Sequence, residues 1–351
     1  MKIEISRGVG GIKYVKIVEK CRLQDPRAGF SIKEYVIERR RDPLTGKWCR
    51  INVERALRER RVEEKEIDES VRKVFDEYSS SCPFCSSRIE SQTPKFEEGD
   101  RIYHGKVIIM PNLYPFAETH AIGVIDPDRH VTDVSDICDY IVDIIEGSIT
   151  YFRRLGFRYR YHYINMNFLF PAGSSIPHAH IQIFATEYPS VYHEDILRRS
   201  VKYYDKYCRN MMVDYLLSEI QNSSRLILAS EDTVTFAAYC PRSYNEVHIL
   251  HMYEHDILSL DKKGVDSLAE PICRVLRGFR NILLQRTFNF AILSTSRKKH
   301  SKHFRIMVRL CTRKEPVPYY TNDIGFIELL HEEPVIITYP EETAKKLRHG
   351  T

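Results

Sequence analysis

The stretch Gly173-Ser174-Ser175-Ile176-Pro177-His178-Ala179-His180-Ile181-Gln182-Ile183-Phe184 decides how this 351-residue chain is interpreted. Polar and apolar residues alternate in it from His178 onward. Successive side chains of a strand point to opposite faces. We therefore predict a strand over residues 178–186, with His178, His180 and Gln182 on one face and the apolar residues in the core. An amphipathic strand that carries histidine only by chance would more often show lysine, glutamate or threonine at these outward positions.

The segment before this strand, residues 173–177, is small and flexible. Its backbone N–H groups can approach an anion closely. Two imidazoles and an amide on a rigid strand, next to such a loop, indicate a site for phosphate chemistry.

The composition limits the class of protein. Hydrophobic residues make up 43% and charged residues 29%, which is typical of a globular chain and excludes a disordered one. The net charge is only +5, so we expect no nucleic-acid partner, while small phosphorylated ligands remain compatible with it. No apolar run reaches the length of a membrane helix, and charged residues within Met1–Lys20 argue against a signal peptide.

The nine cysteines are odd in number, and only Cys82 and Cys85 are close in sequence. This pattern favours a reducing, cytoplasmic location with one metal-type pair over a disulfide framework. Two thiolates separated by two residues can bind the same zinc ion. A redox pair and two buried loop cysteines are the alternatives. Spacing alone does not choose the remaining ligands among His104, His120, His130 and His178.

The periodicity along the chain predicts two α+β halves of similar plan, joined by a long helix. The predicted helices cover residues 133–155, 195–220 and 268–284, while residues 53–78 form a charged stretch with loose helical spacing. The predicted strands cover residues 107–110, 122–125, 161–170, 178–186, 225–228, 233–238, 288–295 and 303–311.

Five motifs, in order, are similar to the galactose-1-phosphate uridylyltransferase family, the transferase branch of the histidine-triad superfamily. The central four are Cys82-Pro-Phe-Cys85, Pro111-Asn112-Leu113-Tyr114-Pro115, Asp126-Pro127-Asp128-Arg129-His130 and Gly173-Ser-Ser-Ile-Pro-His178-Ala-His180-Ile-Gln182. Upstream, Asp42-Pro-Leu-Thr-Gly-Lys-Trp48 followed by Arg55 and Arg58 resembles the family's first motif. Residues 212–239 resemble the start of its second half.

The resemblance implies an α+β fold of two tandem histidine-triad-like domains, each an antiparallel sheet with packed helices. The implied organisation is an N-terminal extension (1–34), a catalytic domain (35–192), a linking helix (193–224) and a C-terminal domain (225–351).

The resemblance also implies roles for individual residues. His180 would be the nucleophile on the α-phosphorus of a nucleotide sugar, and Gln182 would hydrogen-bond the phosphoryl oxygens. One structural Zn²⁺ per chain would be bound by Cys82, Cys85, His130 and His178. The implied substrate-binding residues are Arg55, Arg58, Asn112, Asn167 and Ser175, with the two arginines reaching phosphates across a homodimer interface.

The chain departs from the family pattern in several places. Ala179 and Ile181 replace the usual Pro and Gly around the nucleophile. The positions of a second, iron-type site carry Ser294, Met307 and Arg309, with only His303 nearby, so we expect no iron. The stretch 325–334, where the family reads the hexose, matches poorly. We interpret His248, His251 and His255 as surface or internally satisfied histidines of a degenerate second repeat.

The expected activity is transfer of a nucleoside monophosphate, UMP by the resemblance, between a nucleotide sugar and a hexose 1-phosphate. One alternative is an ADP-glucose-type phosphorylase that uses inorganic phosphate. Another is a histidine-triad hydrolase, against which Gln182 argues because those enzymes usually have a third histidine there. A zinc- and nucleotide-binding protein without catalysis is the remaining alternative.

Overall fold

The computed structural model describes residues 2–58, 63–315 and 323–349. The helices in these residues are α1 (Glu64–Ser79), α2 (Ser86–Gln92), α3 (Ile141–Arg154), α4 (Val191–Tyr207), α5 (Met211–Asn222), α6 (Lys262–Asn281), α7 (Phe326–Leu330) and α8 (Pro340–His349). The strands are β1 (Lys2–Arg7), β2 (Lys13–Asp25), β3 (Ser31–Arg41), β4 (Trp48–Ile51), β5 (Ile102–His104), β6 (Val107–Pro111), β7 (Ala121–Ile125), β8 (Tyr161–Phe168), β9 (His180–Thr186), β10 (Leu226–Ala229), β11 (Thr233–Ala237), β12 (Tyr244–His251), β13 (Phe288–Thr295), β14 (Met307–Thr312) and β15 (Val335–Ile336).

The main sheet of the described residues has ten strands in the order β10-β11-β12-β14-β13-β8-β9-β7-β6-β5. Every adjacent pair in it is antiparallel. Strands β8 and β13 join the two halves over their whole length, from Phe288 opposite Phe168 to Thr295 opposite Tyr161. The predicted α+β class with antiparallel sheets is confirmed, and the two half-sheets form one continuous surface.

Helices α3 and α6 cover one face of this sheet. Ile144 and Ile272 on these helices and Ile181 and Ile183 on β9 are all fully buried in one core. Alternation along β9 therefore places His180 and Gln182 on the opposite face. Helices α4 and α5 pack on that opposite face, chiefly over the C-terminal half, in a second core with side chains from β11, β12 and β14.

A second sheet of five strands, in the order β1-β2-β3-β4-β15, lies against α4 and α5. The predicted N-terminal extension supplies β1, β2 and the first part of β3. Tyr14, Cys49 and Ile51 are buried and connect this sheet to the second core.

The prediction of one linking helix over 195–220 is wrong, because α4 ends and α5 begins within it. Cys208 has a left-handed backbone (φ 51°), which ends α4. The Asn210 side chain accepts hydrogen bonds from the N–H groups of Met212 and Val213 and so caps a new helix.

Other predicted boundaries also change. The helix predicted from residue 133 begins as a 3₁₀ turn over Ser135–Tyr140 before α3, and the charged stretch 53–78 contains most of α1. Strand β9 starts at His180, so His178 belongs to the preceding loop. Strand β12 was not predicted. In the described part of the chain, no helix has the length and apolar character to cross a membrane.

Candidate functional site

The side chains of Cys82, Cys85, His130 and His178 converge, although they come from three separate segments. One ligand atom from each lies within 4.8 Å of all the others. Cys82 Sγ is 3.5 Å from His178 Nδ1, and Cys85 Sγ is 3.3 Å from His130 Nε2. The structure thus brings together the four residues that the resemblance assigned to a metal.

Local structure holds each of these side chains in place. Cys85 is the residue before the first turn of α2. The turn before His130 begins at Asp126, which has a positive φ of 44°. The Tyr140 hydroxyl donates a 2.7 Å hydrogen bond to the Asp126 carboxylate. The Nε2–H of His178 donates to the carbonyl oxygen of Ile125 at 3.0 Å, which leaves the Nδ1 lone pair facing the thiols.

These four residues fit zinc. In a tetrahedral site, the usual Zn–S and Zn–N bond lengths place a sulfur and a nitrogen ligand about 3.6 Å apart. The Cys82–His178 and Cys85–His130 separations of 3.5 and 3.3 Å agree with that value. Two thiolates and two imidazoles also complete the coordination, so a metal here would have a structural role.

The carbonyl oxygen of His178 orients His180. The Nδ1 of His180 lies 2.8 Å from that oxygen, and a carbonyl can only accept a hydrogen bond. Nδ1 therefore carries the proton, and Nε2 keeps its lone pair. Burial lowers the pKa of His180, and the hydrogen bond to the His178 carbonyl opposes only part of this shift. The ring is therefore neutral near pH 7.

Phe84, the third residue of the Cys82–Cys85 loop, links the metal cluster to His180. Its ring is buried and makes edge contacts with His178 at 6.1 Å and with His180 at 5.4 Å between centroids. Phe84 was not among the residues predicted from the sequence. The signal that could have identified it is its position between the two cysteines, because a metal ion bound by both thiolates would bring this residue close to the strand that carries His180.

Gln182 follows His180 on the same face of β9 and lies beside the His120 side chain. His120 was a candidate metal ligand, but it is not part of the group formed by Cys82, Cys85, His130 and His178 in the described residues. Burial lowers the pKa of His120, and the hydrogen bond to Gln182 opposes this shift. Asn112 lies beside His120, with its amide nitrogen 3.2 Å from the ring nitrogen Nε2. The remaining candidate, His104, pairs with Glu146 at 2.9 Å.

Asn167 lies on β8, next to β9, at the entrance of the loop before His180. Its amide nitrogen is 3.4 Å from the carbonyl oxygen of Gly173, and its side-chain oxygen accepts a 2.7 Å hydrogen bond from Asn289 on β13. Ser175 is exposed in the same loop. Gly173 has a φ of 95°, a conformation that favours glycine, so this loop depends on that residue.

The two predicted phosphate-binding arginines lie outside the strands that carry His180 and Asn167. Arg55 is exposed in the 3₁₀ turn Val53–Arg58, which follows β4 of the second sheet. Arg58 ends this turn, and its side chain lies outside the described residues.

In the C-terminal half, strands β12 and β14 carry a buried ion pair. Glu246 accepts hydrogen bonds from Arg309 at 2.8 Å and from His248 at 3.0 Å, and Arg309 lies over the ring of Tyr192 at 3.9 Å. Burial opposes ionisation of Glu246, yet the charges of Arg309 and His248 hold its pKa well below the usual range.

The other residues singled out in the second half are also mostly buried. Met307 lies in the core, and the Ser294 hydroxyl accepts a 2.8 Å hydrogen bond from the Ile257 N–H. His248 and His251 are buried and are therefore not surface histidines. Nε2 of His248 pairs with Glu246 and Nδ1 of His251 accepts from the Tyr253 N–H, whereas Nδ1 of His248 has no hydrogen-bond partner in the described residues.

Comparison with known proteins places this geometry in context. No protein-family model matches the chain. The chain is 28% identical to an uncharacterized protein of Archaeoglobus fulgidus over 347 residues, which cover 96% of this chain and 98% of the other. It is 24% identical over 207 residues to a probable galactose-1-phosphate uridylyltransferase of Drosophila melanogaster, covering 55% of this chain and 59% of the fly protein.

Two solved structures share the fold. An ADP-glucose phosphorylase of Arabidopsis thaliana with bound ADP-glucose superposes with a TM-score of 0.68 at 19% identity, covering 90% of this chain and 99% of that one. A uridylyltransferase structure superposes with a TM-score of 0.63 at 19% identity, covering 88% of this chain and 97% of that one. The resemblance inferred from the motifs is therefore confirmed for the fold, which this chain shares with the ADP-glucose phosphorylase and the uridylyltransferase.

Proposed function

We propose that this chain is a nucleotidyltransferase that moves a nucleoside monophosphate, UMP by the resemblance, from a nucleotide sugar to a hexose 1-phosphate. The intermediate is a nucleotide bound covalently to His180. The observation that carries this proposal is the 2.8 Å hydrogen bond from His180 Nδ1 to the His178 carbonyl, which leaves Nε2 as an oriented, neutral nucleophile.

In the first step, the Nε2 lone pair of His180 forms a bond to the α-phosphorus. The bond from that phosphorus to the bridging oxygen breaks, and the electron pair leaves with the sugar 1-phosphate. In the second step, a phosphate oxygen of the acceptor attacks the same phosphorus, and the N–P bond breaks to restore neutral His180. Imidazole is both a good nucleophile and a good leaving group, so two moderate barriers replace one high barrier.

Gln182 donates an amide hydrogen bond to the phosphoryl oxygens, where charge accumulates in both transition states. An amide cannot act as a general acid near neutral pH. The intermediate is therefore poorly activated toward water and persists until a phosphate acceptor arrives. The His120 side chain lies beside Gln182 and interacts with it.

A zinc ion bound by Cys82, Cys85, His130 and His178 would cross-link the loop that carries the two cysteines to the residues just before β9. The chain's own contribution is the Ile125 carbonyl, which fixes the His178 ring, and the His178 carbonyl, which fixes His180. These four residues would thus help to orient His180 and would take no part in making or breaking bonds.

The remaining substrate contacts belong to this proposal. Asn112, Asn167 and the exposed Ser175 surround the catalytic strand and would contact the nucleotide and its phosphates. Arg55 and Arg58 would reach the phosphates of the substrate bound to the other subunit of a homodimer, because their turn follows β4 of the second sheet whereas His180 lies on the main sheet.

A second candidate is an ADP-glucose-type phosphorylase, in which inorganic phosphate replaces the hexose 1-phosphate. The likeness to the Arabidopsis thaliana ADP-glucose phosphorylase favours it, as does the poor match of residues 325–334 to the hexose-reading stretch. The covalent step on His180 is the same in both candidates.

Product analysis separates these activities. The chain is incubated with UDP-glucose or ADP-glucose together with galactose 1-phosphate, inorganic phosphate or no acceptor. UDP-galactose as product supports the uridylyltransferase, ADP from ADP-glucose and phosphate supports the phosphorylase, and a free nucleoside monophosphate supports hydrolysis. No turnover of either nucleotide sugar with any acceptor would overturn the proposal.

A further inference from the structure

A cavity of about 270 Å³ lies where the second sheet meets α4 and α5, away from β9 and the metal cluster. The turn between β1 and β2, the turn between β3 and β4, and both helices form its walls. Its lining includes Gly11, Lys13, Arg41, Asp42, Arg199 and Lys202. The cavity thus combines the N-terminal extension with the Asp42–Trp48 motif, neither of which has a role at His180.

Close contacts hold the β1–β2 turn against the helices. The N–H of Gly11 donates to the Tyr203 hydroxyl at 2.5 Å, and the N–H of Val9 donates to Ser218 Oγ at 2.8 Å. A Cβ on Gly11 would lie 2.3 Å from the Tyr207 ring, so only glycine permits this approach. The wall of the cavity is therefore fixed by packing and hydrogen bonds.

The β3–β4 turn is held equally closely to Arg199. Gly46 has a φ of 78°, and a Cβ there would lie 2.8 Å from a guanidinium nitrogen of Arg199. Arg199 also donates a 3.4 Å hydrogen bond to the carbonyl oxygen of Pro43.

The cavity carries four cations and one carboxylate. Among the described residues, Lys13, Arg41, Arg199 and Lys202 have no carboxylate oxygen within 4.0 Å. Asp42 offsets only part of this charge, because one carboxylate faces four cations. Its oxygens also accept hydrogen bonds from the N–H groups of Leu44 and Thr45 and from the Thr45 hydroxyl, at 3.0, 3.3 and 2.5 Å.

Arg199 shows that this charge is unbalanced. Its Nε is buried and has no hydrogen-bond partner in the described residues. Burial and the like charge of Arg41 lower the pKa of Arg199. A buried donor without an acceptor destabilises the fold, and an anion would relieve both the missing hydrogen bond and the repulsion.

We propose that this cavity is a binding site for a small phosphomonoester, separate from the catalytic site, whose phosphate lies between Arg41 and Arg199. A phosphate dianion matches converging guanidinium and ammonium donors. The apolar side chains of Ile12, Pro43 and Met211 line the rest of the cavity and would contact the body of the ligand. The volume suits a sugar phosphate and is too small for a polymer.

Isothermal titration of the full-length chain with glucose 6-phosphate, inorganic phosphate and AMP tests the proposal. Glucose 6-phosphate should bind at one site per chain and more tightly than inorganic phosphate. R199Q should weaken this binding by roughly tenfold or more, the loss expected for one charge-assisted hydrogen bond. K202Q, which changes an exposed side chain and should leave folding unaltered, should weaken it by a few-fold.

The control is K206Q, which removes a positive charge from the same helix outside the cavity and should leave the Kd unchanged. The variant H180G should also retain glucose 6-phosphate binding, since the site is separate from the catalytic strand. Glucose 6-phosphate binding that is unaffected by both R199Q and K202Q would overturn the proposal. Equal affinity for inorganic phosphate and glucose 6-phosphate would overturn its assignment to a phosphomonoester.

Discussion

The carbonyl oxygen of His178 accepts the Nδ1–H of His180 at 2.8 Å, so a residue of the metal cluster orients the proposed nucleophile through its own backbone. The His178 ring is held in turn by the Ile125 carbonyl at 3.0 Å. This chain of contacts makes the chemistry at His180 depend on the loop that carries Cys82 and Cys85.

Replacement of His180 tests the covalent step. H180G should lower transfer by at least roughly 10³-fold, because no other side chain replaces the nucleophile. A nucleotidyl imidazolide should partly restore product formation, since the missing ring then arrives with the donor. The measurement is steady-state turnover, together with mass spectrometry of the unaltered chain after incubation with nucleotide sugar alone.

The unaltered chain should release about one sugar 1-phosphate per site in a burst and carry the nucleotide on His180. H104G changes a histidine that pairs with Glu146 outside the site and serves as the matched control with near-normal turnover. An adduct located on His178, or normal turnover by H180G, would contradict the mechanism.

Replacement of Gln182 by histidine should alter the fate of the intermediate more than its formation, whereas replacement by leucine should slow both. Q182H introduces a ring that can act as a general acid, so the ratio of hydrolysis to transfer should rise while the burst of sugar 1-phosphate persists. Q182L should slow both steps, by roughly 10- to 1000-fold, because a donor to the phosphoryl oxygens is lost. Both variants are compared by measuring free nucleoside monophosphate and transfer product in the same reaction. An unchanged product ratio in Q182H would refute this role.

Loss of one cluster ligand should lower metal content and stability together. C82S should bind less than one Zn²⁺ per chain and unfold at a lower temperature, because metal binding is coupled to folding. Metal analysis and thermal unfolding are measured on the same sample, and C21S, at an exposed cysteine, is the control. The same metal analysis on the unaltered chain should find no stoichiometric iron. Full zinc content in C82S would show that the assignment of this ligand is wrong.

Buried histidines should make the fold sensitive to acid. Burial lowers the pKa of His162 to about 4 and that of His193 to about 3, and both side chains are at most 2% exposed. Below pH 6.5 the unfolded chain binds protons at these rings while the folded chain does not, so stability is lost as the pH falls toward 4.

The H193F variant tests this effect. It should reduce the pH dependence of the free energy of unfolding between pH 6.5 and 4 by about 3 kcal/mol. H331N, at an exposed histidine, should leave that dependence unchanged. Denaturant unfolding at a series of pH values measures it, and equal slopes in H193F and the unaltered chain would exclude His193 as a source.

The local features of the catalytic site could be predicted from the sequence. Alternation along β9 is a property of consecutive residues, so the shared face of His180 and Gln182 followed from the pattern itself. The two-residue gap between Cys82 and Cys85 likewise allows both thiolates to bind the same metal ion, whatever the rest of the fold. The break between α4 and α5 was missed, because the capping by Asn210 competes with a helical pattern that continues on both sides of it.

Periodicity and short spacings act within a few residues, so the α+β class, the strand that carries His180 and Gln182, and the cysteine pair could be predicted from the amino-acid sequence alone. Only the tertiary structure decided which histidines join the cysteines: His130 and His178 do, whereas His120 lies beside Gln182 and His104 beside Glu146. It also decided that β8 and β13 unite the two halves, and that Arg41 and Arg199 meet in one cavity. The physical reason is that strand pairing and core packing bring distant segments together, and those contacts depend on the shape of the whole chain, which no local pattern encodes.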